Sequence, residues 1–350
     1  MASKNRISVG GVEIGGGAPI SVQTMTNTKT EDVRATLSQI ERAKIAGCDL
    51  IRISCPSQEA TGVLREILAQ SMMPIIADIH FDYRRAIEAI EAGVHGIRIN
   101  PGNIGSIGLQ EIVKALDGTD CILRIGVNSG SIERDILERY GEPTAEALAE
   151  SAELNCRKLE DLGFARLKVS VKSSNVRTAV SAYRMLSQRI DYPLHVGITE
   201  AGTSFPGTIK SAIGIGSLLM DGIGDTIRVS LSGDIVEEVK VGRQILKSLG
   251  LLMGCIDIVS CPTCARALID VISLSTALEE YCENIRSNIK ISILGCVVNG
   301  PGEAIHSDIG IFGFKKGLAK IYVNGKEVGI VEEHSLLKMV KEIVVDRKSE

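Results

Sequence analysis

A closed (β/α)8 barrel followed by a small α+β domain is the architecture this sequence predicts. Three observations lead there. Short β-branched apolar runs alternate with helix-length segments, the signature of a parallel sheet. Eight such runs are complete by residue 231, and beyond the next helix the rhythm changes. A length of 350 residues also suits two domains at ~100–200 residues each.

The eight runs fall at 20–25, 50–54, 75–79, 97–100, 122–127, 167–171, 194–198 and 227–231. Between the first two, Thr30 can cap a helix with Glu31 and Asp32 in its first turn, Val33, Leu37 and Ile40 form a stripe, and Gly47 ends it. Leu148, Ala152, Cys156 and Leu159 repeat the helical spacing, which makes Cys156 a core residue rather than a ligand. A doubly wound open sheet would want its glycines directly after the first strand, whereas Gly15, Gly16 and Gly17 precede it. A helix is expected at about 235–248, with the boundary near 250–254, giving domains 1–250 and 251–350. Runs at 289–294, 309–312, 321–323 and 328–331, with a closing helix near 333–345, read as the smaller α+β domain.

Hydrophobic residues at 44% and charged residues at 23% exclude a disordered or collagen-like chain. Lys and Arg number 39 against 43 Asp and Glu, so there is no global positive field for a nucleic-acid backbone, and any anion must be caught locally. The most apolar stretch, about 245–261, is interrupted by Lys247 and Asp257 and falls short of the ~20 apolar residues of a membrane span. The basic start lacks an apolar stretch with a cleavage site, so a cytoplasmic protein is expected. In that compartment the nine cysteines are mostly buried small hydrophobes unless their spacing points to a metal.

Barrel enzymes place their chemistry at the C-terminal ends of the strands. There the sequence offers Arg52 and Ser54, Asp78 and His80, Arg98 and Asn100, Arg124 and Asn128, then Lys168, Ser170 and Lys172, His195 and Glu200, and Arg228 and Ser230. Most are spaced by two, which puts them on one face, the barrel interior. Any single arginine would pair with a carboxylate such as Asp49, Asp78 or Asp225. So many cations converging on one mouth instead imply an anionic ligand, and guanidinium forks suit phosphate oxygens. A small phosphorylated substrate is therefore expected. Asp78 and His80 form a carboxylate and imidazole suited to proton transfer, and Glu200, in Thr199-Glu200-Ala201-Gly202, is a further proton donor or acceptor among cations.

Cys261-Pro262-Thr263-Cys264 is a C-x-x-C pair, and Cys296 lies in a Gly/Pro-rich loop. No N-terminal βαβ unit carries the pair as in a thioredoxin-like protein, so a metal centre is the better reading. Spacing does not choose between zinc and iron–sulfur. For the fourth ligand Cys255, Cys282 and His306 are available, Cys255 fitting a strand and Cys282 a helix. Glu303, seven residues after Cys296, would be a labile oxygen ligand that leaves an iron open to substrate. S-adenosylmethionine radical chemistry is disfavoured because no C-x3-C-x2-C run occurs.

These residues resemble a known family. Pro19-Ile20-Ser21-Val22-Gln23-Thr24-Met25-Thr26-Asn27-Thr28, Ala77-Asp78-Ile79-His80-Phe81-Asp82-Tyr83, Arg98-Ile99-Asn100-Pro101-Gly102-Asn103 and Gly224-Asp225-Thr226-Ile227-Arg228-Val229-Ser230, together with the two cysteine blocks, are similar to those of the 4-hydroxy-3-methylbut-2-enyl diphosphate synthases of the non-mevalonate isoprenoid pathway. The resemblance implies a TIM barrel followed by a ferredoxin-like domain with a [4Fe-4S] cluster. It implies reductive ring opening of 2-C-methyl-D-erythritol 2,4-cyclodiphosphate, with flavodoxin or ferredoxin as electron donor, in a homodimer. Carried over, Cys261, Cys264, Cys296 and Glu303 would ligate the cluster, and Arg52, Arg98, Arg124, Asn128, Lys172, Arg228 and Ser230 would hold the substrate. Asp78, His80, His195 and Glu200 would line the same mouth, Glu200 delivering the proton and Glu303 yielding its iron to a substrate oxygen. Ala265, where the family often has Gly, and Ser173-Ser174-Asn175 depart from the pattern without removing a ligand. The direct run from barrel to cluster domain fits the two-domain bacterial form.

Two other readings compete. One is a zinc-dependent barrel hydrolase of a phosphate ester, using Asp78, His80 and His195 with a purely structural cysteine site. The other is a phosphometabolite sensor in which the cluster reports redox state.

Overall fold

The alternation of apolar runs and helices closes into a barrel. In the computed structural model, which describes residues 3–283 and 285–348, the chain divides into two units, Met1–Leu251 and Leu252–Glu350. The first begins with an antiparallel hairpin, β1 (Arg6–Val9) and β2 (Val12–Gly15), turned by Gly10 and Gly11 at φ 55° and 87°, backbone that favours glycine. The barrel strands follow as β3 (Ser21–Met25), β4 (Leu50–Ser54), β5 (Ile75–Asp78), β6 (Gly96–Ile99), β7 (Ile122–Asn128), β8 (Leu167–Lys172), β9 (His195–Val196) and β10 (Thr226–Ile227). All pair in parallel in the order β8-β7-β6-β5-β4-β3-β10-β9. A bridge between Val169 and Leu194, with the Val169 N–H donating to the Pro193 carbonyl at 2.9 Å, joins the two ends.

The hairpin, absent from the sequence reading, forms the barrel floor. Its buried Ile7, Val9 and Ile14 pack on Leu50, Ile76 and Ile122, the first inward residues of β4, β5 and β7. The interior above them is thereby closed to solvent from below.

Three local expectations change. The first barrel helix, Val33–Ile45, is capped by Asp32, whose carboxylate accepts from the Ala35 N–H at 3.0 Å, while the Thr30 hydroxyl donates to the Ser54 carbonyl. An aspartate next to the helix reaches the free amides that Thr30, two residues further back, does not. Asn100 leaves its strand to cap Pro101–Leu116, accepting from the Gly102 N–H at 3.2 Å. β9 and β10 are shorter than the runs 194–198 and 227–231, because the backbones crowd where the ladder ends: a Cβ on Gly197 would stand 2.3 Å from the Arg228 carbonyl oxygen.

The second unit carries a five-stranded mixed sheet: β11 (Asp257–Ser260), β12 (Lys290–Leu294), β13 (Ile309–Lys315), β14 (Leu318–Val323) and β15 (Lys326–Glu332), side by side in chain order. The first three are parallel and the last two antiparallel. β11 and the helix Val271–Cys282 add to the elements read from sequence. The core joins Leu274 and Leu278 of that helix and Leu336, Val340 and Val344 of Glu333–Lys348 to Ile291, Ile293, Ile309 and Ile311. Cys282 ends its helix as expected, whereas Cys255 lies in the loop before β11 and not in a strand. No helix among the described residues is long and apolar enough to cross a membrane.

The short helix Gly300–Ile305, which bears Glu303, lies against β13 through glycines: a Cβ on Gly310 would stand 2.4 Å from Ala304 Cα, and one on Gly300 2.4 Å from Phe312 Cβ. Gly310→Ala must lift this helix, so it should lower stability by ~1–3 kcal/mol, the usual cost of overpacking. Urea unfolding of the full chain measures it, and an unchanged midpoint would mean the helix is not seated in this way.

Candidate functional site

Strand register builds the site. Asp78 pairs with Arg98, Arg98 with Arg124, and Arg124 with Lys168, a single row across β5 to β8. Laterally paired residues of a parallel sheet face the same side, and here that side is the interior. Ser54 extends the same row by pairing with Asp78; two positions on Gly126 pairs with Ser170, and two further Asn128 pairs with Lys172. Arg124 is 1% exposed and Lys168 not at all, so the row lies inside the protein and not on its rim.

Few carboxylates answer these cations. Asp78 serves two arginines, with Oδ1 3.3 Å from Arg98 Nη1 and Oδ2 3.7 Å from Arg52 Nε. Burial alone would raise its pKa, but Arg52, Arg98 and His80 outweigh burial and hold the carboxyl below its usual range. Arg228 Nη2 lies 3.3 Å from Glu238 Oε1. Arg124 donates to the Ser170 hydroxyl at 3.0 Å, while its Nε and Nη1, Lys168 Nζ and both ring nitrogens of His195 are buried without a partner. Among the described residues neither Lys168 nor Lys172 joins an ion pair. Asp49 and Asp225, which sequence offered as countercharges, accept backbone N–H groups of Val22 and Leu194, and Asp225 also acts as an opposite charge on Lys168.

Burial first, and neighbouring cations second, push Lys168, Lys172 and His195 well below their usual pKa values. Buried donors without partners are costly, and an anion bearing several oxygens is what would satisfy them. The arrangement is thus chemically suited to a compact polyanion.

The other predicted residues distribute around this row. His80 stands at the rim, its Nε2 3.6 Å from Asp78 Oδ2. Ser230 Oγ is buried without a partner, and Asn128 and Lys172 occupy the C-terminal ends of β7 and β8. Glu200 is exposed beyond β9 in left-handed backbone at φ 51°, a conformation that costs a non-glycine residue ~1–3 kcal/mol and concentrates at functional sites. The structure does not bring Glu200 into contact with a cation among the described residues.

In the second unit Cys261 follows β11 and Cys296 follows β12, adjacent parallel strands ending on one side, with Cys264 three residues further on. All three are free thiols, and Cys261 Sγ accepts the Gly295 N–H at 3.1 Å. A backbone donor to sulfur suits iron–sulfur ligation. Among the described residues no three His, Cys, Asp or Glu side chains converge on a single ion, and Glu303 is exposed on its short helix. The donor set fits iron in its chemistry.

Residues 4–243 match the GcpE TIM-barrel domain and residues 257–346 the GcpE protein C-terminal domain. Over 346 residues the chain is 51% identical to the 4-hydroxy-3-methylbut-2-en-1-yl diphosphate synthase (flavodoxin) of Gluconacetobacter diazotrophicus, covering 99% of this chain and 90% of that protein. The chain belongs to the GcpE family. Its similarity to the synthases of the same name from Rhodospirillum rubrum, at 56% over 91% of this chain and 85% of that one, and Clostridium perfringens, at 49% over 97% of each, is of the same order. A solved dihydropteroate synthase from Stenotrophomonas maltophilia superposes with a TM-score of 0.51 at 14% identity, covering 70% of this chain and 98% of that one, and shows the barrel fold alone.

For this GcpE chain, sequence reasoning missed Glu238 and Gln23. Glu238 reads as an ordinary first-turn acid of Ile235–Ser248, yet it accepts from the Thr24 hydroxyl, the Leu231 N–H and Arg228. Gln23 is buried with neither amide atom paired, and its spacing of two from Ser21 was the available signal.

Because the buried amines hold fewer protons in the free protein than they would beside an anion, polyanion binding should draw protons from solution. Titration calorimetry of inorganic diphosphate near pH 7.5, in buffers of contrasting ionisation enthalpy, should report net uptake. Buffer-independent heats would contradict it.

Proposed function

We propose that this chain carries out the two-electron reductive opening of 2-C-methyl-D-erythritol 2,4-cyclodiphosphate to (E)-4-hydroxy-3-methylbut-2-enyl diphosphate, with flavodoxin, the donor in its relatives' name, supplying electrons. The observation that carries this reading is the buried cation row, which outnumbers its carboxylates in a chain that matches this oxidoreductase family nearly end to end.

Ring opening frees a phosphate oxygen and adds a negative charge to the diphosphate. Arg98, Arg124, Lys172 and Arg228 are preorganised for that charge in a water-poor interior, where such donors stabilise it most. Asn128, His195 and Ser230 supply uncharged polar contacts, and Asp78 holds Arg52 and Arg98 in place. The hydroxyl lost from carbon needs a proton to leave as water. Glu200 is the group proposed to deliver it, and His80 stands at the rim beside the buried Asp78. Cys261, Cys264, Cys296 and Glu303 would hold a [4Fe-4S] cluster, which supplies electrons one at a time when bound.

The proposed assembly is a homodimer in the cytoplasm. An exposed stripe on Ser204–Met220, formed by Phe205, Ile209, Ile213 and Met220, supports a second copy, since apolar patches of that kind mark interfaces. The zinc hydrolase reading loses its centre: Asp78 is committed to two arginines, and His195 is sealed in the interior while His80 stands at the rim.

Protein purified without oxygen should be brown and hold about four irons and four sulfides per chain, and it should turn over the cyclic diphosphate with dithionite or reduced flavodoxin. A colourless, zinc-loaded protein that resists reconstitution would overturn the assignment. Glu200→Gln keeps shape but cannot donate its proton, and should cut turnover of the dithionite-reduced enzyme ~100-fold, the lower range of general acid catalysis, with substrate affinity little changed. Unchanged turnover would remove Glu200 from the proton step.

A further inference from the structure

Three inward arginines of the barrel lean in a shared direction. The guanidinium of each approaches the position one strand over and two residues on from its own register partner. Arg52 pairs with Ile76 and its guanidinium meets Asp78; Arg124 pairs with Lys168 and its guanidinium meets Ser170. Arg98 pairs with Arg124, so the corresponding position is Gly126. The space there is occupied by the guanidinium: a Cβ on Gly126 would lie 2.5 Å from Arg98 Nε, 2.8 Å from Nη2 and 3.0 Å from Cζ. Neither its φ nor its strand setting demands glycine, since Gly126 lies mid-strand in β7 and is absent from the positive-φ residues. The demand comes from Arg98.

The residue at the staggered position therefore decides what each arginine does. A carboxylate there neutralises Arg52, a hydroxyl hydrogen-bonds Arg124, and no side chain at all stands beneath Arg98. Arg98 Nε remains buried without a partner, and only Nη1 is spent on Asp78, at 3.3 Å. We propose that Gly126 is a positioning residue for anion recognition, its missing side chain being the seat that holds the Arg98 guanidinium against the bound diphosphate. This rests on the reading of the row as a diphosphate site.

The test uses inorganic diphosphate, whose binding to the holoenzyme is followed by calorimetry, together with steady-state kinetics on the cyclic diphosphate. Gly126→Ala should weaken diphosphate binding about tenfold or more, the scale of a lost charge-assisted hydrogen bond, and should raise KM more than it lowers kcat. In an Arg98→Ala background the same Gly126→Ala change should have no further effect, because the displaced group is gone. A thermal midpoint and iron content matching the parent show that each variant is folded and loaded. Equal losses from Gly126→Ala with and without Arg98, or undiminished binding in Gly126→Ala, would overturn the proposal. Failure of the parent protein to bind diphosphate at all would instead overturn the reading of the site.

Discussion

Uncompensated positive charge buried in the barrel is the constraint on which the rest of this structure depends. Arg98, Arg124, Lys168, Lys172 and Arg228 project into one interior, and among the described residues Asp78 and Glu238 are the carboxylates that form ion pairs with them. Burying charge without a partner is among the most unfavourable things a fold can do. It persists only where the surrounding framework fixes the side chains regardless, and a closed ring of eight parallel strands does so. The energy withheld from folding is then available to a ligand that brings the missing negative charge.

That framework is maintained from both sides of the strand wall. Below, the β1–β2 hairpin seals the barrel with Ile7, Val9 and Ile14 and keeps water from relieving the charges. Outside, Glu238 gathers Thr24, the Leu231 amide and Arg228, tying the first and last barrel strands to the helix Ile235–Ser248. Within the wall, glycine positions set where cationic heads can lie, Gly126 for Arg98 and Gly197, whose Cβ would stand 3.1 Å from Lys172 Nζ. The site is thus shaped as much by absent side chains as by charged ones.

The second unit follows a different logic. Its sheet and two long helices form an ordinary apolar core, and the thiols proposed to hold the cluster follow the ends of β11 and β12, with Cys261 packed at the edge of that core. Cys261, Cys264 and Cys296 are half-buried or exposed, whereas burial drives the thiols of Cys48, Cys55 and Cys121 up to about 12 and raises that of Cys156 likewise, which makes those four inert packing groups. Spacing alone separated the two kinds, since Cys156 shares a helical stripe and Cys261 and Cys264 do not.

The sequence by itself determined the alternation of strands and helices, the change of rhythm after residue 250, and the inward set of arginines and lysines. Each of these is a local signal, because period-two spacing fixes a side chain's face without reference to any other strand. It did not determine what each inward residue touches. That Arg52 and Arg98 share Asp78, that Arg228 is met by Glu238, and that Arg98 lies over Gly126 all depend on strand register and on the lean of side chains across it. The length of β9 and β10, the capping of the first helix by Asp32 in place of Thr30, and the hairpin floor were likewise decided by contacts between segments far apart in the chain. The tertiary structure alone made these choices, because an eight-stranded ring brings together residues whose separation along the chain carries no periodic signal.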